Sequence, residues 1–181
     1  MMTEDKSGDL WVFGYGSLMW RPGFSFLESR QARVTGLHRS LCVFSWVHRG
    51  TREQPGLVLG LDRGGACLGL AFRVCGSRRE QVIDYLRERE QVTSVYREQW
   101  RAIRFADGSR ATALAYVVDR GHEQYAGKLD PEQQIALIRQ ATGQSGANPD
   151  YVTSTAQRLS ELGIADTGLT YISSRLLEVT G

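Results

Sequence analysis

Apolar positions fall into short strand-like runs over the first two thirds of the chain, and helical periodicity dominates only the last third. Residues 11–13, Trp-Val-Phe, form the first apolar run and predict a buried strand. That run breaks at Gly14-Tyr15-Gly16-Ser17-Leu18. Residues 33–46 carry a broken apolar pattern with Gly36 inside, which fits one long strand with a bend or two strands. The near-continuous run at 57–61 and the alternating run at 67–74 flank Gly64-Gly65, a spacing that predicts a hairpin. Residues 78–90 predict a helix with Ser77 as its N-cap. Strands are expected again at 96–105 and 111–118, joined by the turn Ala106-Asp107-Gly108-Ser109. From Asp130-Pro131 onward the pattern is helical. Pro131 suits a first helical position, and Ile135, Leu137 and Ile138 supply an apolar face. Helices at 149–162 and at 169–179, the latter after Gly168, complete the order. No internal repeat or low-complexity segment interrupts it. Strands first and helices last predict an α+β fold: a small mixed β-barrel or strongly bent sheet packed by helices, with a helical C-terminal region.

Length and composition narrow the setting. The 181 residues suffice for one domain with a proper core, so residues 11–181 read as a single domain and 1–10 as a flexible polar tail. An apolar fraction of 41% and a charged fraction of 23% are those of an ordinary globular protein. The 22 basic and 20 acidic residues are mixed along the chain, which argues against nucleic acid as a partner. No apolar run approaches the roughly 18 residues of a membrane span. The polar start lacks the apolar core of a secretion signal, so the expected location is cytoplasmic. Cys42, Cys67 and Cys75 contain no Cys-x-x-Cys pair, and His38, His48 and His122 are far apart. Neither a disulfide framework nor a metal site is expected.

Two places carry candidate chemistry. Two glycines one residue apart, at Gly14 and Gly16, let the backbone take positive φ and let another molecule approach the main chain closely. Gly14-Tyr15-Gly16-Ser17-Leu18 is therefore either a tight turn leaving the strand or a cradle of backbone N–H groups for an anion or developing oxyanion. The second place is the helix at 78–90. Advancing about 100° per residue from Val82 puts Leu86 at about 40°, Glu90 at about 80° and Ile83 at about 100°. Glu90 thus falls inside the apolar stripe, while Glu88, at about 240°, lies on the solvated face. Burial and the negative end of the helix dipole both disfavour a charged Glu90, which suits a general base near neutral pH. The alternative is a frayed helix end that lets Glu90 reach solvent or pair with Arg89.

Taken together these residues resemble the ChaC family of γ-glutamylcyclotransferases. The resemblance rests on Val12-Phe13-Gly14-Tyr15-Gly16-Ser17-Leu18, Trp20, Pro22-Gly23-Phe24, Gly36-Leu37-His38-Arg39, Arg49-Gly50-Thr51 and Pro55-Gly56-Leu57. It continues through Leu86 with Arg89-Glu90, then Ser145-Gly146-x-Asn148-x-x-Tyr151 and Leu162-Gly163-Ile164. It spans about 11–178. Some family members follow the glutamate with a Gly-Gly-Tyr turn, whereas residues 91–95 precede Tyr96 here, a longer connection similar to the bacterial branch.

What the resemblance implies is a γ-glutamylcyclotransferase-like fold and an enzyme that cleaves glutathione to 5-oxoproline and cysteinylglycine. The substrate's own α-amine attacks its γ-carbonyl, so no cofactor, metal or covalent intermediate is called for. Glu90 would be the catalytic acid/base, and Tyr15, Gly16, Ser17 and Leu18 would hold the γ-glutamyl group. Arg39 and Arg49 are candidates for a substrate carboxylate or for surface ion pairs. Tyr116 and Tyr151 are candidates for pocket lining or for packing. Two alternatives stay open: a cyclotransferase for other γ-glutamyl amino acids or amines, and a non-catalytic accessory protein linked to cation transport.

Overall fold

Alternation along the strands decides which side chains fill the centre of the fold. The computed structural model describes residues 8–91 and 94–178. Five strands, β1 (Leu10–Gly14), β2 (Glu28–Ser45), β3 (Gly56–Val74), β4 (Tyr96–Phe105) and β5 (Arg110–Val118), close a barrel in the order β1-β3-β2-β4-β5. Antiparallel pairs join β1 to β3 (Leu10↔Val74 through Gly14↔Leu70), β2 to β4 (Arg33↔Arg104) and β4 to β5 (Ile103↔Ala111). A parallel pair, Trp11↔Ala113 and Val12↔Leu114, closes the ring. The α+β expectation, with a mixed barrel packed by helices, is met.

Side chains alternate between the two faces of each strand, so one register fills the barrel and the next faces outward. Trp11, Phe13, Val34, Leu61, Ala71, Ile103, Phe105, Ala113 and Ala115 form the inner core. The small residues at 111, 113 and 115 on β5 leave room for Trp11 and Phe105, whose rings lie 4.9 Å apart. The neighbouring positions Leu10, Val12, Val74, Leu114 and Tyr116 face outward and are covered by Val82 and Leu86 of α1 (Arg79–Glu90). That outer layer carries the candidate base.

The residues divide into two compact units. The first holds the chain through Arg39 with Leu61–Asp119; the second holds Ser40–Gly60 and the chain from Arg120 onward. The second unit contains α2 (Pro131–Gln140), the ribbon β6 (Thr142–Gly143) with β7 (Gly146–Ala147), α3 (Asn148–Glu161) and α4 (Thr167–Leu177). Asp130 and Gln133 form a reciprocal capping box ahead of Pro131, and Asp166 caps α4 through Leu169 N at 3.0 Å. No helix among the described residues is long and apolar enough to cross a membrane.

Three local expectations are corrected. Residues 57–61 and 67–74 do not form a hairpin but belong to the one strand β3. Gly64 and Gly65 have φ of +109° and +65°, so the pair that suggested a chain reversal makes a glycine kink inside a continuous strand. Ser77 does not cap α1. A 3-10 turn at Gly76–Arg78 precedes the helix, and the Ser77 hydroxyl lies 3.3 Å from the Cys75 thiol. Finally, α4 starts before Gly168, at Thr167. The broken pattern at 33–46 resolves into the single strand β2, with Gly36 at φ +87° as its bend. Residues 1–7 of the expected tail, residues 92–93 of the connection after Glu90 and the end of the last helix at Val179 lie outside the described residues.

Candidate active site

All of the first group of site residues belong to the barrel unit, and the end of β1 positions them. After Gly14 the chain enters a 3-10 turn, Ser17–Met19, closed by Met19 N–H to Gly16 O at 2.9 Å and Trp20 N–H to Ser17 O at 3.2 Å. By that bonding pattern the amides of Ser17 and Leu18 precede the first bond of the turn. The glycines act differently from the expectation of positive φ, because neither Gly14 nor Gly16 adopts it. Gly14 instead permits close approach: a Cβ there would sit 3.3 Å from Leu18 Cβ. Leu18 is buried with Leu10, Val12 and Leu86, so its side chain anchors the turn and only its backbone faces the site. Ser17 is exposed, and Tyr15 packs against the inner core. Arg39 donates from Nε to Tyr15 O at 2.6 Å and from Nη2 to Leu68 O at 2.8 Å. It therefore ties the Tyr15 carbonyl of the loop to β3.

Helix α1 brings Glu90 to the same place. Val82 and Leu86 bury one face of the helix on the barrel, and Glu90 continues that stripe at its last turn with a side chain only 20% exposed. Burial pushes its carboxyl above the ordinary value, and the charge of Arg89 opposes the shift. Arg89 Nε lies 3.5 Å from Glu90 Oε1. The rest of that guanidinium points the other way: Nη2 donates to Ser17 Oγ at 3.2 Å, and Nη1 to Pro22 O at 3.2 Å, to Tyr85 OH at 3.3 Å and to Arg21 O. The turn and the carboxylate are thus one residue apart, bridged by a single side chain.

Tyr116 on β5 completes the group. It is buried, and its hydroxyl donates to Glu98 Oε1 at 3.4 Å, while Glu98 also receives Arg87 at 3.2 Å. Burial first, then the charges of Glu98 and Glu90, hold the phenol protonated well above its usual range. Tyr116 is therefore a neutral phenol whose proton goes to Glu98, within the field of the Glu90 charge.

Arg49 and Tyr151 belong to the second unit, where they meet each other. The Arg49 guanidinium lies 5.5 Å from the centre of the Tyr151 ring and donates to Ala147 O at 3.3 Å. The Tyr151 hydroxyl accepts from Leu59 N–H at 3.1 Å. Sequence reasoning raised Arg89 as a partner for Glu90, which it is, but missed its grip on the turn and the roles of Tyr85 and Glu98. Tyr85 and Arg89 are spaced i, i+4 on α1, a signal of contact on one helix face. Gly23 belongs with them: its φ is +74°, and a Cβ there would overlap the Tyr85 hydroxyl. A cavity of about 490 Å³ runs beside this helix face, lined by Gly23, Phe24, Gln81 and Tyr85 among others. Among the described residues no group of three or more His, Cys, Asp or Glu side chains is placed to hold a metal ion.

Comparison with known proteins gives this arrangement a context. The family model described as ChaC-like protein matches residues 10–178. The glutathione-specific γ-glutamylcyclotransferase of Escherichia coli (strain K12) is 37% identical over 169 residues, covering 93% of this chain and 73% of that protein. Glutathione-specific γ-glutamylcyclotransferase 1 of Mus musculus is 36% identical over 161 residues, covering 85% of this chain and 71% of that one. Among solved structures, a selenomethionine-labelled γ-glutamylcyclotransferase specific to glutathione from yeast superposes with a TM-score of 0.84 at 19% identity. That superposition covers 94% of this chain and 96% of the other, and establishes the shared fold.

Proposed function

The chain belongs to the ChaC-like protein family, and from that premise we propose that it is a glutathione-specific γ-glutamylcyclotransferase acting in the cytoplasm. The observation that carries the mechanism is Glu90: a carboxylate raised by burial, next to an arginine that grips the turn at Ser17. In this reading the α-ammonium of glutathione gives a proton to Glu90. The freed amine attacks the γ-carbonyl carbon, and a new carbon–nitrogen bond closes the five-membered ring. The oxyanion then collapses as Glu90 hands its proton to the departing cysteinyl nitrogen and that bond breaks. The proton still surplus on the ring nitrogen follows through Glu90, so the lactam is neutral and the leaving amine departs as an ammonium. The products are 5-oxoproline and cysteinylglycine, with no water consumed.

Each assignment follows from a physical need. An α-amine titrates near 8 and an ordinary glutamate near 4, so raising the carboxyl narrows the gap that proton transfer must cross. The nucleophile is part of the substrate, so positioning supplies much of the acceleration. The amides of Ser17 and Leu18, at the open end of the turn, are the donors we assign to the γ-glutamyl carboxylate or the developing oxyanion. Tyr15 and Gly16 shape that cradle, with Arg39 bracing it through the Tyr15 carbonyl. Tyr116 would flank the reacting amine as a neutral phenol, its proton directed to Glu98. Arg49 and Tyr151 remain our candidates for binding further parts of the substrate.

Mass-spectrometric detection of 5-oxoproline from glutathione tests the reading, with Glu90→Gln as the control. Turnover should fall by about 10²–10⁴-fold in that variant while glutathione still binds. Normal turnover in Glu90→Gln would remove Glu90 from the mechanism. Faster product formation from γ-glutamylalanine or a γ-glutamylamine than from glutathione would move the substrate assignment. Silence on every γ-glutamyl compound would leave the accessory-protein alternative.

A further inference from the structure

We infer that Arg89 is a positioning residue that couples the substrate-binding turn to the proposed base, so that binding and proton transfer both depend on one guanidinium. The inference rests on the reading of Glu90 as the base, and it follows from how the donors of Arg89 are distributed. A guanidinium carries five N–H donors in a rigid fork. Here Nη2 meets Ser17 Oγ, Nη1 meets the carbonyls of Arg21 and Pro22 and the Tyr85 hydroxyl, and Nε faces Glu90. One side of the fork therefore fixes the turn and the chain leaving it, and the other side faces the carboxylate.

The surroundings support this use of the residue. Arg89 is 21% exposed, and its bonds to the Pro22 carbonyl and the Tyr85 hydroxyl are partly buried. Tyr85, one helical turn earlier, supplies an oxygen that orients Nη1. Gly23, beside Pro22, leaves the space that the Tyr85 hydroxyl occupies. A lysine would keep the positive charge but cannot make these divergent contacts at once. The charge matters separately, because it favours the ionised form of Glu90 against the effect of burial. Tyr116 on β5 feels the charges of Glu90, of Glu98 on β4 and of Arg87 on α1, while Tyr85 on α1 bonds Arg89. Tyr116, Glu98, Arg87 and Tyr85 are unchanged in the variants below.

Three variants separate the two roles: Arg89→Lys, Arg89→Met and Glu90→Gln, each measured for KM and for the pH dependence of kcat/KM with glutathione. Arg89→Lys should raise KM about tenfold through the lost contacts to the turn, with the acid limb of the profile unmoved. Arg89→Met should raise KM similarly and also move the acid limb up by about one pH unit, since Glu90 loses its neighbouring charge. A purely structural role would lower the melting temperature and kcat without moving that limb. The inference is overturned if folded Arg89→Met keeps either the native KM or the native limb. Should Arg89→Met fail to fold, Arg89→Lys with a native KM overturns it equally. Inactive Glu90→Gln beside an unmoved limb in Arg89→Met would sink the inference alone. Active Glu90→Gln would sink the base assignment, and the inference with it.

Discussion

Glu90 shows how a single residue can be good for chemistry and poor for stability. Its carboxyl is raised above the unfolded value by burial, so the folded protein holds that proton more tightly than the unfolded chain. Such a group favours folding below the unfolded carboxylate range, and the benefit is lost as pH rises through the folded value. At neutral pH the ionised side chain is therefore a liability. Glu90→Gln keeps the shape without the charge, and it should melt roughly 1–3 °C higher than the native protein at neutral pH. The difference should vanish on acidification. Paired thermal melts across that range check it, and a lower melting temperature for the variant at neutral pH would contradict the buried-charge account. The position of Glu90 was legible because helical periodicity alone puts residue 90 on the stripe of Val82 and Leu86. The reach of Arg89 was not. Periodicity assigns a face, but it does not say which distant loop a long side chain will meet.

At the scale of elements, the sequence pattern located the strands and misread one connection. Residues 57–61 and 67–74 are apolar enough to be strands, and Gly64-Gly65 between them has the composition of a hairpin turn. What decides between turn and kink is whether the two runs pair with each other, and that depends on partners far along the chain. Here 70–74 pairs with β1, so the strand runs on through the glycines. The same distance effect hides a charged row. Arg33, Arg104 and Arg110 are cross-strand neighbours on β2, β4 and β5, through the pairs Arg33↔Arg104 and Arg104↔Arg110. They line a groove of about 490 Å³ that also includes Arg101 and the exposed Trp100. A formal charge of +2 spread over the chain gives no hint of it. Like charges directly opposite one another on a sheet are destabilising. Arg104→Thr should therefore stabilise the protein by about 0.5–1 kcal/mol at low ionic strength, and salt should shrink the gain. Melting curves at two salt concentrations measure this, and a loss of stability in the variant would show that the row is offset by contacts of its own.

For the molecule as a whole, the α+β class and a small barrel or bent sheet were readable from the order of elements, but the strand order that closes the barrel was not. The order β1-β3-β2-β4-β5 requires a parallel contact between the first and last strands, which no local pattern encodes. The two compact units raise a sharper question, because 11–181 was read as one domain while β2 and β3 each contribute residues to both units. Asn148 offers a probe inside the second unit. It is 0% exposed, its Oδ1 accepts from Leu57 N–H at 2.8 Å, and its Nδ2 donates to Leu57 O at 2.9 Å. The side chain thus completes the backbone pairing of a buried residue on β3. Asn148→Ala leaves both Leu57 groups unsatisfied and opens a small void, at a cost of about 2–4 kcal/mol. If the strands shared by the two units make unfolding cooperative, the melt should stay a single transition, lowered by roughly 5–15 °C. Loss of glutathione turnover on heating should then track that transition, although Glu90 and the Ser17–Met19 turn belong to the other unit. A melt that splits in two, with the barrel unit unfolding at its native temperature, would mean that the units are separate domains and that continuous strands do not enforce cooperativity between them.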